Sequence, residues 1–588
     1  MQLAPSTLRA KVPWGWTSVA TRKPYRSRLS ARRRRRLLTR TVPLVVLAGL
    51  AFAAGVVFAG GPARAERRLV TEYVSAWRHQ DFSTMYSLLD SGSQSRLSPA
   101  AFRADYAAAA ATATLVSFRN GKVSQPHGNV ITVPVRVRTR IFGKLRETLR
   151  VTFTGSGAGA RVSFGPELLF PGLRRGERLT RRVSLAPRAS LLARDGTVLA
   201  EGPQLLSPIP EVAIQIVGSL GPIPADERAA FAAEGYPPKA QVGLDGLELV
   251  FQNQLAGTPG GTLLAGRRVL ASSQPEPGAA VKTTIDPKLV EAEIAAMGGQ
   301  YAGMVAMDPQ NGQLLAVAGI AFSNPQPPGS TMKIITSSAV LTAKLAKLGT
   351  VFPIETESTI DGYTLQNASG EACGGTLVNA FAVSCNSVFA PLGARLGGAR
   401  LVAMAEKFGF NSPPAFPGEV PSTIPPASTI GDALAVGSSA IGQGMVLATP
   451  LEMAIAGATI AMKGKRPIPT FALGQPAKTV TAISPRVASE VQQMMIAVVE
   501  YGTGTAAQIP GVEIAGKTGT AELTDTAASP NNPNSTAANN PKDTDAWFVG
   551  YPVGDPKIVV AALFPSQGAG GATAAPAVAQ VLEAALAR

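Results

Sequence analysis

The sequence predicts a multidomain α+β protein with a single N-terminal transmembrane helix, and three observations carry that expectation. The 588 residues leave room for three or four domains of ~150 residues each. An uncharged, mainly apolar run at 41–63 directly follows Arg32–Arg36 and Arg40. Beyond it, apolar residues at helical spacing give way more than once to apolar residues at period two, so helices and strands share each domain.

Residues 1–40 form a basic tail. The formal net charge is +17, but the tail holds twelve Lys or Arg and no Asp or Glu, so +5 is left for everything else. The charge belongs to the tail, and a nucleic-acid partner is not implied. The run at 41–63 has the length needed to span a bilayer. The positive-inside rule then puts the tail in the cytoplasm and the rest outside the plasma membrane. A cleaved signal peptide is the competing reading, because Ala63-Arg64-Ala65 resembles a small-residue cleavage site; the length of the apolar segment and of the basic region favours the anchor.

Residues 65–172 read as a small α+β, cone-like domain. Leu69, Tyr73 and Trp77 share a helical face, Met85, Leu88 and Leu89 suggest a second helix, and Pro99 to Ala111 a third. Ile131, Val133, Val135 and Val137 then alternate with polar residues, as do Leu145, Leu149, Val151 and Phe153 after a turn at Gly143. No convergent charged constellation marks a ligand site, so a spacer is expected. Residues 173–298 are rich in Pro and Gly and short on long periodic runs. From 299 to 588, Met307-Asp308-Pro309-Gln310-Asn311-Gly312 followed by Leu314-Leu315-Ala316 predicts a β-hairpin; strands are expected over Val512–Ala521, Trp547–Tyr551 and Lys557–Phe564, and Asp525–Asp545 reads as a long exposed loop.

Three motifs in this last region carry the chemistry. Pro327-Pro328-Gly329 precedes Ser330-Thr331-Met332-Lys333, and the apolar spacing after them predicts that Ser330 opens a buried helix. A helix N-terminus offers unpaired N–H groups to an oxyanion, and residues three apart share a face, so the Lys333 amine can reach the Ser330 hydroxyl. A lysine serves as base only if burial or a neighbouring cation lowers its pKa, and Lys517 can supply that cation. Ser384-Cys385-Asn386 falls between two apolar helical stretches, where a hydroxyl can relay a proton and an amide can position a carbonyl, or Asn386 can simply start the next helix. Lys517-Thr518-Gly519-Thr520 lies on an expected strand, whose edge can pair with an extended peptide while Lys517, Thr518 and Thr520 meet its carboxylate. By chance alone, K-T-G-T turns up in about one in a hundred chains of this length.

In this order S-x-x-K, S-x-N and K-T-G resemble the motifs of the active-site-serine penicillin-binding proteins and serine β-lactamases. From about Tyr301 onwards the chain is similar to the transpeptidase domain of class B penicillin-binding proteins. Ile441-Gly442-Gln443-Gly444 and Thr449-Pro450-Leu451-Glu452-Met453-Ala454 support the match. The resemblance implies a five-stranded antiparallel sheet with helices, plus an all-helical subdomain beside the cleft. It implies Ser330 as acyl-enzyme nucleophile, Lys333 as base, and Ser384, Asn386 and Lys517 as relay and positioning groups. Thr518, Gly519 and Thr520 then belong to the substrate-binding strand, and the N–H groups of Ser330 and Thr520 form the oxyanion hole. Residues 65–172 resemble, by pattern, the nuclear-transport-factor-2-like domain of the methicillin-resistance penicillin-binding protein group. Pro187 to Ala200 resembles the pedestal motif, with Ala189 and Ala193 where the family usually has Gly and Asp, and the resemblance implies a β-rich pedestal or linker module over 173–298.

The implied activity is peptidoglycan D,D-transpeptidation through a Ser330 acyl-enzyme, with β-lactams as covalent inhibitors and no cofactor. The implied partners are peptidoglycan stem peptides, the membrane and a membrane glycosyltransferase of the wall machinery, since no glycosyltransferase motif is found in the chain. The alternatives are a D,D-carboxypeptidase or β-lactamase-type hydrolase, against which stands the lack of an E-x-x-L-N motif, and a non-catalytic sensor or scaffold. Both histidines, His79 and His127, precede the catalytic region, so a Ser-His-Asp triad there is excluded, and two Cys and two His so widely separated make no zinc site. An extracytoplasmic location permits disulfides, and the two cysteines, Cys373 and Cys385, are expected to pair; two free thiols are the alternative.

Overall fold

The computed structural model describes Ala48, residues 63–523 and residues 543–587. The basic tail, the apolar run except for Ala48 and its last residue, and most of the loop expected at 525–545 lie outside the described residues. Among the described residues no single helix is long and apolar enough to cross a membrane. The chain divides into two compact units, one holding 118–136 and 146–176 with the described chain up to Tyr106, the other holding 107–117, 137–145 and 177–587.

In the first unit a helix over 63–78 buries Leu69, Tyr73 and Trp77. Trp77 stacks on Phe118 with ring centroids 4.6 Å apart, and the buried hydroxyls of Tyr73 and Tyr106 meet at 2.8 Å. Burial without charge explains why Tyr73 titrates far above an ordinary phenol. Strands β1 (Leu115–Asn120), β2 (Val130–Thr139), β3 (Lys144–Thr154) and β4 (Arg161–Val162) form one sheet in that order, of which the first unit holds 118–120, 130–136, 146–154 and 161–162. Period two sets its faces: Ile131, Val133, Val135, Leu149, Val151 and Phe153 are buried, and the alternate positions of β2 and β3 expose Arg136, Arg138, Lys144, Arg146 and Arg150.

In the second unit, Leu179–Ser184, Gly260–Ala265 and Arg268–Ser273 make a three-stranded antiparallel sheet. A hairpin of Leu191–Leu192 and Val198–Ala200 adds Val281–Lys282 in parallel. Arg188 supplies the polar contact of this region, pairing with the buried Glu248 and donating to Gln252 at 2.9 Å, while Ala193 is fully buried.

The main sheet comprises β5 (Gly303–Met307), β6 (Leu314–Gly319), β7 (Ile514–Glu522), β8 (Thr544–Pro552) and β9 (Val559–Phe564) in the spatial order β6-β5-β9-β8-β7, every neighbouring pair antiparallel. Strands β5, β8 and β9 are buried along their whole length, which is why they read as continuous apolar runs. Helices Pro287–Met297 and Ala574–Leu586 pack on the sheet and on each other, as do Pro450–Ala461 and Pro485–Glu500. Thr544 and Asp545, expected in the long loop, are instead buried residues of β8, paired with Glu522 and Ala521 of β7.

The subdomain between sheet strands β6 and β7 is not all-helical. Beside its helices it carries two ribbons, Val351–Glu355 with Cys373–Thr376 and Glu357–Ile360 with Tyr363–Gln366. The reason is in the sequence: Asp361-Gly362, both at positive φ, make the two-residue turn of a type I′ hairpin between short β-branched strands.

Candidate active site

Ser330 lies in a 3₁₀ turn, Gly329–Met332, that runs into helix α1 (Lys333–Thr342). The α-helix therefore starts three residues later than the sequence suggests, because the first turn is tightened by Thr331, which donates to the Pro328 carbonyl through both N–H and hydroxyl. Gly329, at φ +50°, lies against β7: a Cβ there would come within 2.7 Å of the Thr520 carbonyl oxygen. Gly519 is its counterpart, where a Cβ would come within 2.8 Å of the Pro328 carbonyl oxygen. The two glycines let the nucleophile turn sit directly on the edge strand.

Helix α2 (Leu377–Ala382) and helix α3 (Asn386–Leu396) flank the second motif. Ser384 between them holds a left-handed conformation, φ +61°, that a non-glycine residue adopts only when its surroundings fix it. Lys333 Nζ lies 2.9 Å from Ser330 Oγ, 2.7 Å from the Ser384 carbonyl oxygen, 2.7 Å from Asn386 Oδ1 and 3.3 Å from Ser384 Oγ. Lys517 Nζ donates to Ser384 Oγ at 2.9 Å and to the Thr518 carbonyl at 3.1 Å. Neither lysine is exposed, and among the described residues no carboxylate pairs with either. Each lies over an aromatic ring, Lys333 over Phe389 at 5.6 Å and Lys517 over Phe381 at 5.4 Å.

Burial drives the Lys333 amine well below the usual lysine range, and the positive charge of Lys517 pushes it the same way. Burial alone brings Lys517 down to about 7. A neutral Lys333 has two N–H groups, which the two carbonyl-type oxygens at 2.7 Å can occupy, leaving its lone pair for the Ser330 hydroxyl.

Over these residues opens a cavity of about 490 Å³, lined among others by Ser330, Ser384, Asn386, Thr518 and Thr520. The structure thus brings the three motifs to one place. It also brings residues to which sequence reasoning gave no role. Thr503 hydrogen-bonds Thr518 hydroxyl to hydroxyl, and its signal was the flanking Gly502 and Gly504. Asn367, almost wholly buried, donates to the carbonyls of Glu355 and Glu371 and to Ser387 Oγ, and accepts from Ser387 N–H at 2.8 Å. It caps α3 from a distance, because the residue at the cap position, Cys385, is bonded to Cys373 in a disulfide and makes no side-chain cap. Asn386 in turn donates to the Gln366 carbonyl at 3.2 Å, which directs its Oδ1 at Lys333.

A five-stranded sheet whose edge strand faces a cavity-lining serine backed by a buried lysine defines a serine-type acyl-transferring enzyme. The profile of the penicillin binding protein transpeptidase domain matches residues 302–583, that of the penicillin-binding protein dimerisation domain residues 207–283, and that of the NTF2-like N-terminal transpeptidase domain residues 65–177. The chain is 33% identical over 365 residues to peptidoglycan D,D-transpeptidase PbpA of Mycolicibacterium smegmatis, covering 51% of this chain and 71% of that protein. With its namesake from Mycobacterium tuberculosis it shares 33% over 378 residues, 53% of this chain and 73% of the relative. The crystal structure of PBPA from M. tuberculosis superposes with a TM-score of 0.54 at 27% identity, over 68% of this chain and 99% of that one. Its imipenem acyl-enzyme complex gives 0.54 at 26%, over 68% and 99%. The chain belongs to the class B penicillin-binding proteins, the family of these D,D-transpeptidases.

Proposed function

We propose that the chain cross-links peptidoglycan as a D,D-transpeptidase. The observation that carries the reading is the continuous path Ser330 Oγ, Lys333 Nζ, Ser384 Oγ, Lys517 Nζ, with neighbours 2.9, 3.3 and 2.9 Å apart in a cleft beside a strand edge. Ser330 Oγ attacks the carbonyl of the penultimate D-Ala of a stem peptide while neutral Lys333 takes its proton. The N–H groups of Ser330 and Thr520 hold the oxyanion, and Thr518 and Thr520, with the charge of Lys517 behind them, hold the terminal carboxylate. The C–N bond then breaks, and the leaving D-Ala amine takes a proton through the Ser384 hydroxyl, replenished from the lysines. An amine from a second stem attacks the ester, its proton passes back along the same path, and Ser330 is released. A β-lactam undergoes only the first half of the cycle: its amide bond opens onto Ser330 and the product stays attached.

The domain arrangement that goes with this reading is a cytoplasmic tail at 1–40, a membrane span at 41–63, the NTF2-like domain at 65–172, the pedestal at 173–298 and the transpeptidase domain at 299–588. The apolar run and its arginines support anchoring in the plasma membrane, with a membrane glycosyltransferase as the partner that builds the glycan. The purified chain, given a D-Ala-D-Ala-type thioester with and without an added D-amino acid, tests the activity. Thiol release with an aminolysis product that grows with amine concentration is expected. Hydrolysis indifferent to amine would point to a carboxypeptidase or β-lactamase, and no thiol release to a sensor.

A further inference from the structure

The exposed face of the first unit's sheet is basic from edge to edge. The Gly121 N–H bonds the Pro134 carbonyl and the Phe153 N–H bonds the Asn129 carbonyl. Stepping along the antiparallel strands from these bonds places Arg119 of β1 beside Arg136 of β2 and Arg136 beside Arg146 of β3, a row of three guanidinium groups on adjacent strands. Arg150 comes later on β3, on the same face, and all four arginines are exposed. None of them forms an ion pair among the described residues, and no Asp or Glu occupies an exposed position on β1, β2 or β3. Like charges directly opposite one another weaken a sheet unless something else neutralises them. Guanidinium groups spread over three adjacent strands suit an extended anionic surface rather than a small anion.

We propose that this face lies against the anionic headgroups of the membrane in which the chain is anchored. The proposal rests on the anchoring reading given above. That reading places the bilayer directly before residue 63, and the helix over 63–78 is only about 24 Å long at ~1.5 Å per residue, so the lipid surface is the one anionic partner that the covalent chain keeps within reach. The basic face then limits the swing of the NTF2-like domain about its anchor.

Arginine footprinting tests this. The full chain is placed in nanodiscs of phosphatidylcholine, or of phosphatidylcholine with phosphatidylglycerol, and treated with a dicarbonyl reagent before mass mapping. In the anionic discs, modification of Arg119, Arg136, Arg146 and Arg150 should fall about fivefold, the factor equivalent to ~1 kcal/mol per basic residue at an anionic surface. It should return in about 1 M salt, where the screening length is about 3 Å. Arg486, 68% exposed in the second unit, is the internal control. Equal modification in both kinds of disc overturns the proposal, and so does protection by soluble polyglutamate without protection by anionic lipid. If the chain fails to stay in neutral discs, the anchoring reading fails, and added anionic vesicles then test the face alone by the same footprint. The double variant Arg136→Gln/Arg146→Gln should keep β-lactam acylation and lose most of the lipid protection at Arg119 and Arg150; unchanged protection there counts against the face.

Discussion

Replacing Asn367 by Ala removes a side chain that touches no substrate yet fixes the loop carrying the second motif. The two N–H groups of Nδ2, shared among the Glu355 carbonyl, the Glu371 carbonyl and Ser387 Oγ, lose their partners, and so does the Ser387 N–H that Oδ1 accepts. The lost remote cap of α3 is worth about 1 kcal/mol, and each hydrogen bond to the part-buried carbonyls of Glu355 and Glu371 about 0.5–1.5 kcal/mol. Water entering the vacated space recovers part of that, so the expected net loss is ~1–3 kcal/mol, enough to lower the melting temperature of the catalytic unit by a few degrees. The same loss loosens Gln366 and Asn386, and with them the two oxygens that aim the lone pair of Lys333 at Ser330. Acylation by a fluorescent penicillin should slow by about tenfold or more, the equivalent of ~1.4 kcal/mol in the barrier. Asn367→Asp keeps the acceptor for Ser387 N–H but loses the donors, so it should recover the cap but not the rate. A variant that melts lower yet acylates at the wild-type rate would refute the positioning argument, leaving Asn367 a purely structural residue.

The lysine pair and the disulfide give three further outcomes. Acylation should rise with pH as Lys333 loses its proton well below the ordinary lysine value, then fall above about 7 as Lys517 does; Lys517→Arg should remove the alkaline fall, and a profile without that limb in the wild type would show that the Lys517 charge is not needed. Because both lysines bind protons less readily folded than unfolded, the same groups predict that stability rises with pH from about 7 towards the unfolded value and is lost as pH falls through the folded one, which thermal melts across that window check. Reducing Cys373–Cys385, or replacing Cys373 by Ser, removes a crosslink worth about 3 kcal/mol in the unfolded-state entropy picture and frees the segment bearing Ser384 and Asn386; penicillin acylation should slow more than the domain unfolds, and identical rates with and without reductant would count against that role.

What the sequence revealed of this site was the part written locally. Ser330 and Lys333 are three residues apart, and Lys517-Thr518-Gly519-Thr520 sits on one strand, so chain order and spacing were enough to name them. Strand β9 and the Trp547–Tyr551 part of β8 were legible as apolar runs, and β5 and β6 through the hairpin signal at Met307–Gly312. Asn367 and Thr503 were not, because what they do depends on contacts made across the fold: Asn367 reaches Ser387 twenty residues away, and Thr503 meets Thr518 from the far side of a turn. The type I′ turn at Asp361-Gly362 is a local signal in the sequence that departs from the family expectation of an all-helical subdomain. Asp545 shows the opposite failure: a polar residue at the end of a polar stretch read as loop, while the ladder with β7 and the Ser566 N–H bond bury it, and burial raises its carboxyl above the usual range.

The measurement closest to the central claim is the site of covalent attachment. Intact-mass and peptide mapping of the chain after brief exposure to a penicillin should show one adduct, on the peptide containing Ser330. Ser330→Ala should show none while melting like the wild type, and Lys333→Ala should form the adduct slower by several orders of magnitude, since the base belongs to a unit that acts together. An adduct on another residue, or labelling that survives Ser330→Ala, would contradict the assignment of Ser330 as nucleophile.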